Sequence, residues 1–142
     1  MKKTMRNFAA SLLVAGMASV PAVAQASAAP EGEAFLLEML GQRGWEVTCR
    51  VTQDDGDAVN TRERGRGLND NGRFLVADAV GGQCNYAVPE NGELRLTLHV
   101  EHTRFECPFT ITEAGFCRAY VNPGDTGSFV LRQRPAAAPA GS

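Results

Sequence analysis

The segment ELRLTLHVE, residues 93–101, carries the clearest strand pattern in the chain. Every second residue is aliphatic, namely Leu94, Leu96, Leu98 and Val100. The residues between and after them are polar, namely Arg95, Thr97, His99 and Glu101. Side chains of an extended chain point alternately to opposite faces, so this pattern predicts a strand with one face on a core and one in water. Strands of this kind are typical of antiparallel sheets.

Other segments predict further short strands, because apolar alternation recurs between turn residues. In chain order, with the opening segment as the fifth, they cover residues 45–51, 60–68, 74–80, 83–88, 93–101, 105–111, 116–121 and 128–133. A helix over residues 31–40 is expected before them, on an i, i+1, i+4, i+5 stripe of Phe35, Leu36, Met39 and Leu40. We predict a mainly β domain, an up-and-down antiparallel barrel or sandwich of about eight strands preceded by one short helix.

The chain begins with the features of an export signal. A basic start is followed by an apolar run over residues 8–20 and by small-x-small cleavage sites that end at Ala26 and Ala28. We expect cleavage after Ala26; a retained membrane anchor is the alternative, disfavoured because the run is short for a span.

With cleavage there, the sequence consists of three segments. Residues 1–26 are the signal peptide, residues 27–134 the disulfide-stapled domain, and residues 135–142, which are only Pro, Ala, Gly and Ser, a disordered tail. Because no other segment is apolar enough to cross a bilayer, we predict a periplasmic or secreted protein with no membrane span after cleavage.

The charge of the remaining chain disfavours one class of partner. Eleven arginines, no lysine and sixteen acidic side chains give a net charge of −5 with the histidines neutral. Nucleic-acid binding requires clustered positive charge, so we expect no nucleic acid as a partner.

Arginines nevertheless repeat along the predicted second strand. Arg62, Arg64 and Arg66 share one face there, about 7 Å apart. Guanidinium forks match carboxylate and phosphate, so these three are the predicted ligand-binding residues for an anionic envelope component. The alternative is pairing within the sheet: a hairpin at residues 69–72 sets Arg64 opposite Asp78, which would partly neutralise it.

The four cysteines predict two disulfides, because an exported domain of this size folds in an oxidising compartment around a small core. A hairpin of the fourth and fifth predicted strands puts Cys84 opposite Leu98, and the next hairpin puts Cys107 on the far side of Leu98, roughly 9.5 Å away. A disulfide needs Cα atoms within about 7 Å. The predicted pairs are therefore Cys49–Cys84 and Cys107–Cys117.

The second bridge would make the loop between its cysteines a rigid exposed tip. Its predicted partner-binding residues are Phe109, Thr110, Ile111, Thr112 and Glu113. A pre-organised loop loses less entropy on binding, which suits an inhibitor-like protein or an adaptor. The alternative is a stapled hairpin without a partner.

Motifs for catalysis are missing from the sequence. It contains no G-x-S-x-G, no H-E-x-x-H and no phosphate-cradling glycine loop, and the cysteines are expected to be oxidised. We interpret His99, His102 and the acidic turn at residues 54–57 as surface groups rather than metal ligands.

The function predicted from the sequence is binding without catalysis. We expect an exported bacterial envelope protein, with no cofactor and no metal, that binds a protein partner or an anionic envelope component. The alternative is a small periplasmic hydrolase that uses carboxylates brought together by the fold.

Two short motifs resemble those of a known family. GWEVTC at residues 44–49 and EAGFC at residues 113–117 are similar to motifs of the invasion-associated locus B family of exported bacterial proteins. The resemblance is confined to these segments, and the cysteine spacing between them departs from the family pattern. No activity, partner or site residue is transferred from it.

Overall fold

A computed structural model describes residues 31–135, where all regular elements are strands. The strands are β1 (Glu33–Gln42), β2 (Glu46–Gln53), β3 (Ala58–Arg64), β4 (Asp70–Ala87), β5 (Glu93–Leu98), β6 (Thr110–Ile111), β7 (Cys117–Val121) and β8 (Thr126–Leu131). All pairs are antiparallel and form one open sheet in the order β3-β2-β4-β1-β5-β7-β6, with β8 paired to β4.

Over this range no helix has the length and apolarity to cross a bilayer. The predicted signal peptide lies outside the described residues, as does all of the predicted tail except Pro135.

One continuous core lies on the inner face of the sheet. Alternation along the strands supplies it, so that Leu94, Leu96 and Leu98 of β5 are buried as predicted. β1, β2, β4, β7 and β8 add buried apolar side chains to the same cluster, and so does Trp45, which directly precedes β2 and is the largest of the buried side chains. Burying one large apolar side chain is worth about 1.5–3 kcal/mol, so this shared face is the main source of stability.

The helix predicted over residues 31–40 is wrong, because these residues belong to β1. Phe35, Leu37 and Met39 are buried, whereas Glu38 and Leu40 are exposed, which is the period of a strand. The apolar run is compatible with both periods. β1 is hydrogen-bonded on both edges, to β4 and to β5, and this tertiary pairing decides between them.

The predicted up-and-down order is also wrong. β1 inserts between β4 and β5, so the fourth and fifth predicted strands do not form a hairpin. The third and fourth predicted strands are one strand, β4, which continues through Gly81 and Gly82. A Cβ on Gly82 would lie 2.5 Å from the Arg50 carbonyl oxygen, so the glycine permits close strand contact instead of ending the strand. The sixth predicted strand is reduced to β6 and to a single bridge between Phe105 and Gln133.

Both predicted disulfides are present. Their S–S distances are 2.04 Å for Cys49–Cys84 and 1.97 Å for Cys107–Cys117. Cys49 and Cys84 are directly opposite on β2 and β4. Leu98, which the predicted register places opposite Cys84, lies opposite Cys117 instead. The pairs are therefore confirmed, although the strand register used to predict them is wrong.

Candidate functional site

The predicted arginine stripe lies on β3, at one edge of the sheet. β3 pairs with β2, which places Glu46 opposite Arg64 and Thr48 opposite Arg62. Arg62 Nη2 donates to Glu46 Oε2 at 2.8 Å, and Arg64 donates to the same oxygen through Nε at 3.0 Å and through Nη2. The alternative pairing of Arg64 with Asp78 is wrong, because β3 pairs with β2 and Arg64 lies opposite Glu46.

Two guanidinium groups of the stripe thus converge on one carboxylate. Hydrogen bonds from Arg62 and Arg64 hold the pKa of Glu46 below its ordinary value, because they favour the charged form. Arg66 is anchored through its backbone, where the N–H donates to Asp70 Oδ2 at 2.5 Å. At Arg62 and Arg64 a carboxylate of the protein itself already occupies the place that an anionic ligand would take.

A second set of arginines lies on the outer face of the sheet, on strands that are distant in sequence. Residues paired across antiparallel strands point to the same face. One such row across β4, β1, β5 and β7 consists of Arg73, Glu38, Thr97 and Arg118. The next row consists of Asn71, Leu40, Arg95 and Tyr120. We call Arg73, Arg95 and Arg118 the face arginines.

The face arginines line one cavity of about 430 Å³, together with Glu38 and Thr97. Thr97 is only 5% exposed although it occupies an outward position. Arg118 contacts it directly, with Nε donating to Thr97 Oγ1 at 3.2 Å. The Arg118 guanidinium carbon is also 4.8 Å from the centre of the Phe116 ring, a cation–π distance. These two contacts hold Arg118 in position at the cavity wall.

Glu38 supplies the carboxylate of this cavity, and it is engaged by a histidine. Glu38 Oε2 lies 2.8 Å from His99 Nε2, and Glu101 Oε2 lies 3.7 Å from His99 Nδ1. The Glu38 carboxylate is thus bonded to His99, although Arg73 is the residue directly opposite Glu38 on β4.

The face arginines differ from Arg62 and Arg64 in their ion pairing. In the described part of the chain, no carboxylate oxygen lies within 4.0 Å of a side-chain nitrogen of Arg73, Arg95 or Arg118. An arginine fork carries five N–H donors and binds carboxylate or phosphate through two parallel hydrogen bonds. Three forks around one cavity therefore form an arrangement suited to an anion.

The predicted partner-binding loop is a stapled hairpin beyond β7. β6 pairs with β7, and the turn closes at Gly115 with φ of 86°. Phe109 is half-buried and packs edge-to-face on Phe129, with ring centres 4.6 Å apart. The other predicted contact residues are exposed or half-exposed, namely Thr110, Ile111, Thr112 and Glu113. One of the five therefore contributes to packing, and four line the tip.

The two histidines and the acidic turn at residues 54–57 are not part of a cluster of potential metal ligands in the described range. Among residues 31–135, no group of three or more His, Cys, Asp or Glu side chains is placed to hold a metal ion. His99 contacts Glu38 and Glu101, as described above, and His102 lies in the following turn with φ of 63°.

The face arginines were not predicted from the sequence. The alternation of β5 does place Arg95 and Thr97 on the solvent side. The other two arginines reach the same cavity only because β1 joins β4 to β5 and β5 pairs with β7. The one local signal for that arrangement is the spacing of Phe35, Leu37 and Met39, which fits a strand as well as a helix.

Comparisons with family models, with curated proteins and with solved structures find no match for this chain. The two segments that resemble the invasion-associated locus B family have structural roles here. Trp45 is buried in the core, and Cys49 and Cys117 each form a disulfide.

Proposed function

We propose that this chain is a non-catalytic binding protein of the bacterial envelope that holds an anionic ligand on the outer face of its sheet. The observation that carries the proposal is the cavity lined by Arg73, Arg95 and Arg118, whose guanidinium groups have no carboxylate partner in the described range. The ligand carries a carboxylate or a phosphate, because these groups match the arginine fork.

A periplasmic or secreted location is part of the proposal. Its support is the two disulfides, which form and persist in oxidising compartments, together with the export pattern at the start of the chain. In that setting the ligand is a component of the envelope or of its surroundings.

The energetics set the range in which a simple anion should bind. A hydrogen bond to a charged group contributes about 1.5–3 kcal/mol net. Two such bonds at a solvent-open site amount to about 4 kcal/mol, which corresponds to a dissociation constant of about 1 mM. We therefore expect inorganic phosphate to bind weakly, in the millimolar range, and a larger ligand to bind more tightly.

Hydrolysis is less well supported than binding. Two-carboxylate hydrolysis requires carboxyl groups about 5–10 Å apart in one cleft. The cavity of the face arginines is lined by one carboxylate, Glu38, and His99 engages it.

The test compares two triple variants that remove the same charge. One carries Arg73→Gln, Arg95→Gln and Arg118→Gln; the other carries Arg62→Gln, Arg64→Gln and Arg66→Gln. In a phosphate titration followed by NMR at low ionic strength, the first variant should lose binding and the second should retain it. Equal losses in both variants, or no loss in the first, would contradict the proposal.

Two controls separate binding from folding. Exposed charges contribute on the order of 0–1 kcal/mol to stability, so both triple variants should unfold near the wild-type denaturant midpoint. Because Arg118 also bonds to Thr97, the single variant Arg95→Gln provides a second check that leaves this contact intact.

A further inference from the structure

A second cavity adjoins the cavity of the face arginines on the outer face of the sheet. It has a volume of about 440 Å³ and shares Leu40 and Arg95 with the first. Its other wall contains Tyr120 and Pro123, and four polar side chains border it: Gln42, Asn69, Glu93 and Asn122. A ligand that is bound by Arg95 therefore has a continuous path into this second cavity.

Tyr120 is more exposed than Leu40, the other exposed large apolar side chain along that path. It is 69% exposed and lies directly opposite Arg95 on the neighbouring strand. Directly paired residues of antiparallel strands have Cα atoms about 4.5–5.5 Å apart, so the ring and the guanidinium group border the same ligand position. An exposed tyrosine offers a flat apolar surface and a hydroxyl that can hydrogen-bond.

The composition of the second cavity favours a polyhydroxylated ligand. Side-chain amides both donate and accept hydrogen bonds, and a carboxylate accepts them, which matches the hydroxyl groups of a sugar. Tyr120, Leu40 and Pro123 match the C–H face of a sugar ring. An acyl chain would instead cover these amides without supplying partners, which is unfavourable for buried polar groups.

We infer that the ligand is an acidic saccharide. Its carboxylate lies among Arg73, Arg95 and Arg118, and the adjoining sugar ring packs on Tyr120 in the second cavity. This inference rests on the proposed anion-binding function, and it adds the chemical class of the ligand and the residue that contacts the ring.

The test uses tetragalacturonate as an acidic saccharide, galacturonate as its charged monomer and maltotetraose as a neutral tetrasaccharide. Wild-type protein should bind tetragalacturonate more tightly than galacturonate, and maltotetraose weakly or not at all. Tyr120→Ala should weaken tetragalacturonate binding about three- to tenfold, the range expected for loss of an aromatic contact. Tyr120→Phe should retain most of the affinity, because it keeps the ring.

The matched control is Leu75→Ala, which removes another exposed apolar side chain from the same face but borders neither cavity. It should leave binding of tetragalacturonate unchanged. Phosphate binding should likewise be the same in wild-type protein and in Leu75→Ala.

Two results would overturn the saccharide inference while leaving anion binding in place. One is unchanged tetragalacturonate affinity in Tyr120→Ala. The other is arginine-dependent binding of phosphate, or of phosphatidylglycerol vesicles, by a protein that does not bind tetragalacturonate. Unchanged phosphate binding after loss of all three face arginines would instead reject the proposed function, and the saccharide inference with it.

Discussion

On the edge strand β3, Arg62 and Arg64 both donate to Glu46. On the outer face, the face arginines surround a cavity, and none of the three forms an ion pair with a carboxylate in the described range. The edge set is regular in sequence and the face set is not. The difference depends on the neighbours of each set. Glu46 lies opposite Arg64 and accepts from Arg62 and Arg64. On the face, Arg118 lies opposite Thr97, and Glu38, which lies opposite Arg73, is engaged by His99 instead. Regular spacing of arginines along a strand therefore says little about whether they are free to bind a ligand.

The largest expected effects concern the two disulfides, each of which supports one of these surfaces. Cys49–Cys84 joins β2, which carries Glu46, to β4, and its cysteines are 35 residues apart in sequence. Cys107–Cys117 fixes the start of β7 beside Arg118, and its cysteines are 10 residues apart. Loop-closure entropy predicts that replacing the first pair with alanine costs about 4 kcal/mol and the second about 3 kcal/mol. Urea denaturation measures both.

Phosphate affinity gives the same variants a second readout. Loss of Cys107–Cys117 should weaken phosphate binding, because Arg118 directly follows Cys117. Loss of Cys49–Cys84 should leave the affinity of the folded protein unchanged. Equal stability losses would reject the loop-length argument, and weaker binding only in the Cys49/Cys84 variant would contradict the assignment of the site to the face.

A smaller effect is expected from removing one carboxylate from each surface. Glu46→Gln leaves Arg62 and Arg64 without their shared partner, so β3 should gain phosphate binding. Glu38→Gln removes a negative charge from the cavity of the face arginines and should strengthen binding there. Each change is on the order of 1 kcal/mol, or about fivefold in affinity, by comparison with exposed ion pairs.

Phosphate titration of the two variants, with chemical shifts read separately for β3 and for the face, measures both changes. If Glu46→Gln leaves β3 without phosphate binding, then Glu46 is not what prevents binding at the stripe.

The sequence predicts the local features of this protein better than their arrangement. The alternation of Leu94, Leu96 and Leu98 correctly predicts β5, and the four cysteines of a small domain correctly predict two disulfides. Residues 31–40 carry an apolar pattern that fits both helix and strand, and only pairing with β4 and β5 decides between them. The face arginines depend on that pairing, so no local pattern predicts their cavity.

The smallest expected effect is a pH dependence of stability at the edge. Arg62 and Arg64 lower the pKa of Glu46 in the folded protein from its ordinary value of 4.5. The lowered pKa means that the ion pairs stabilise the fold fully above that pH, and that this contribution is lost as the pH falls through the folded-state pKa. Because the groups are solvent-accessible, the contribution should be less than about 1 kcal/mol.

Urea denaturation of wild-type protein and of Glu46→Gln between pH 7 and pH 3 measures this contribution. The difference in stability between the two should be constant near neutral pH and should shrink in acid. A difference that grows as the pH falls would contradict the hydrogen bonds assigned to Glu46.

The contrast between the two surfaces is tested most directly by the guanidinium Nε–Hε NMR signals of the protein during a phosphate titration, with each signal assigned by single Arg→Gln variants. We predict that the signals of Arg73, Arg95 and Arg118 shift together and saturate with one dissociation constant, while those of Arg62 and Arg64 stay near their starting positions. Saturable shifts at Arg62 and Arg64 with none at the face arginines, or equal unsaturated shifts in all of them, would contradict it.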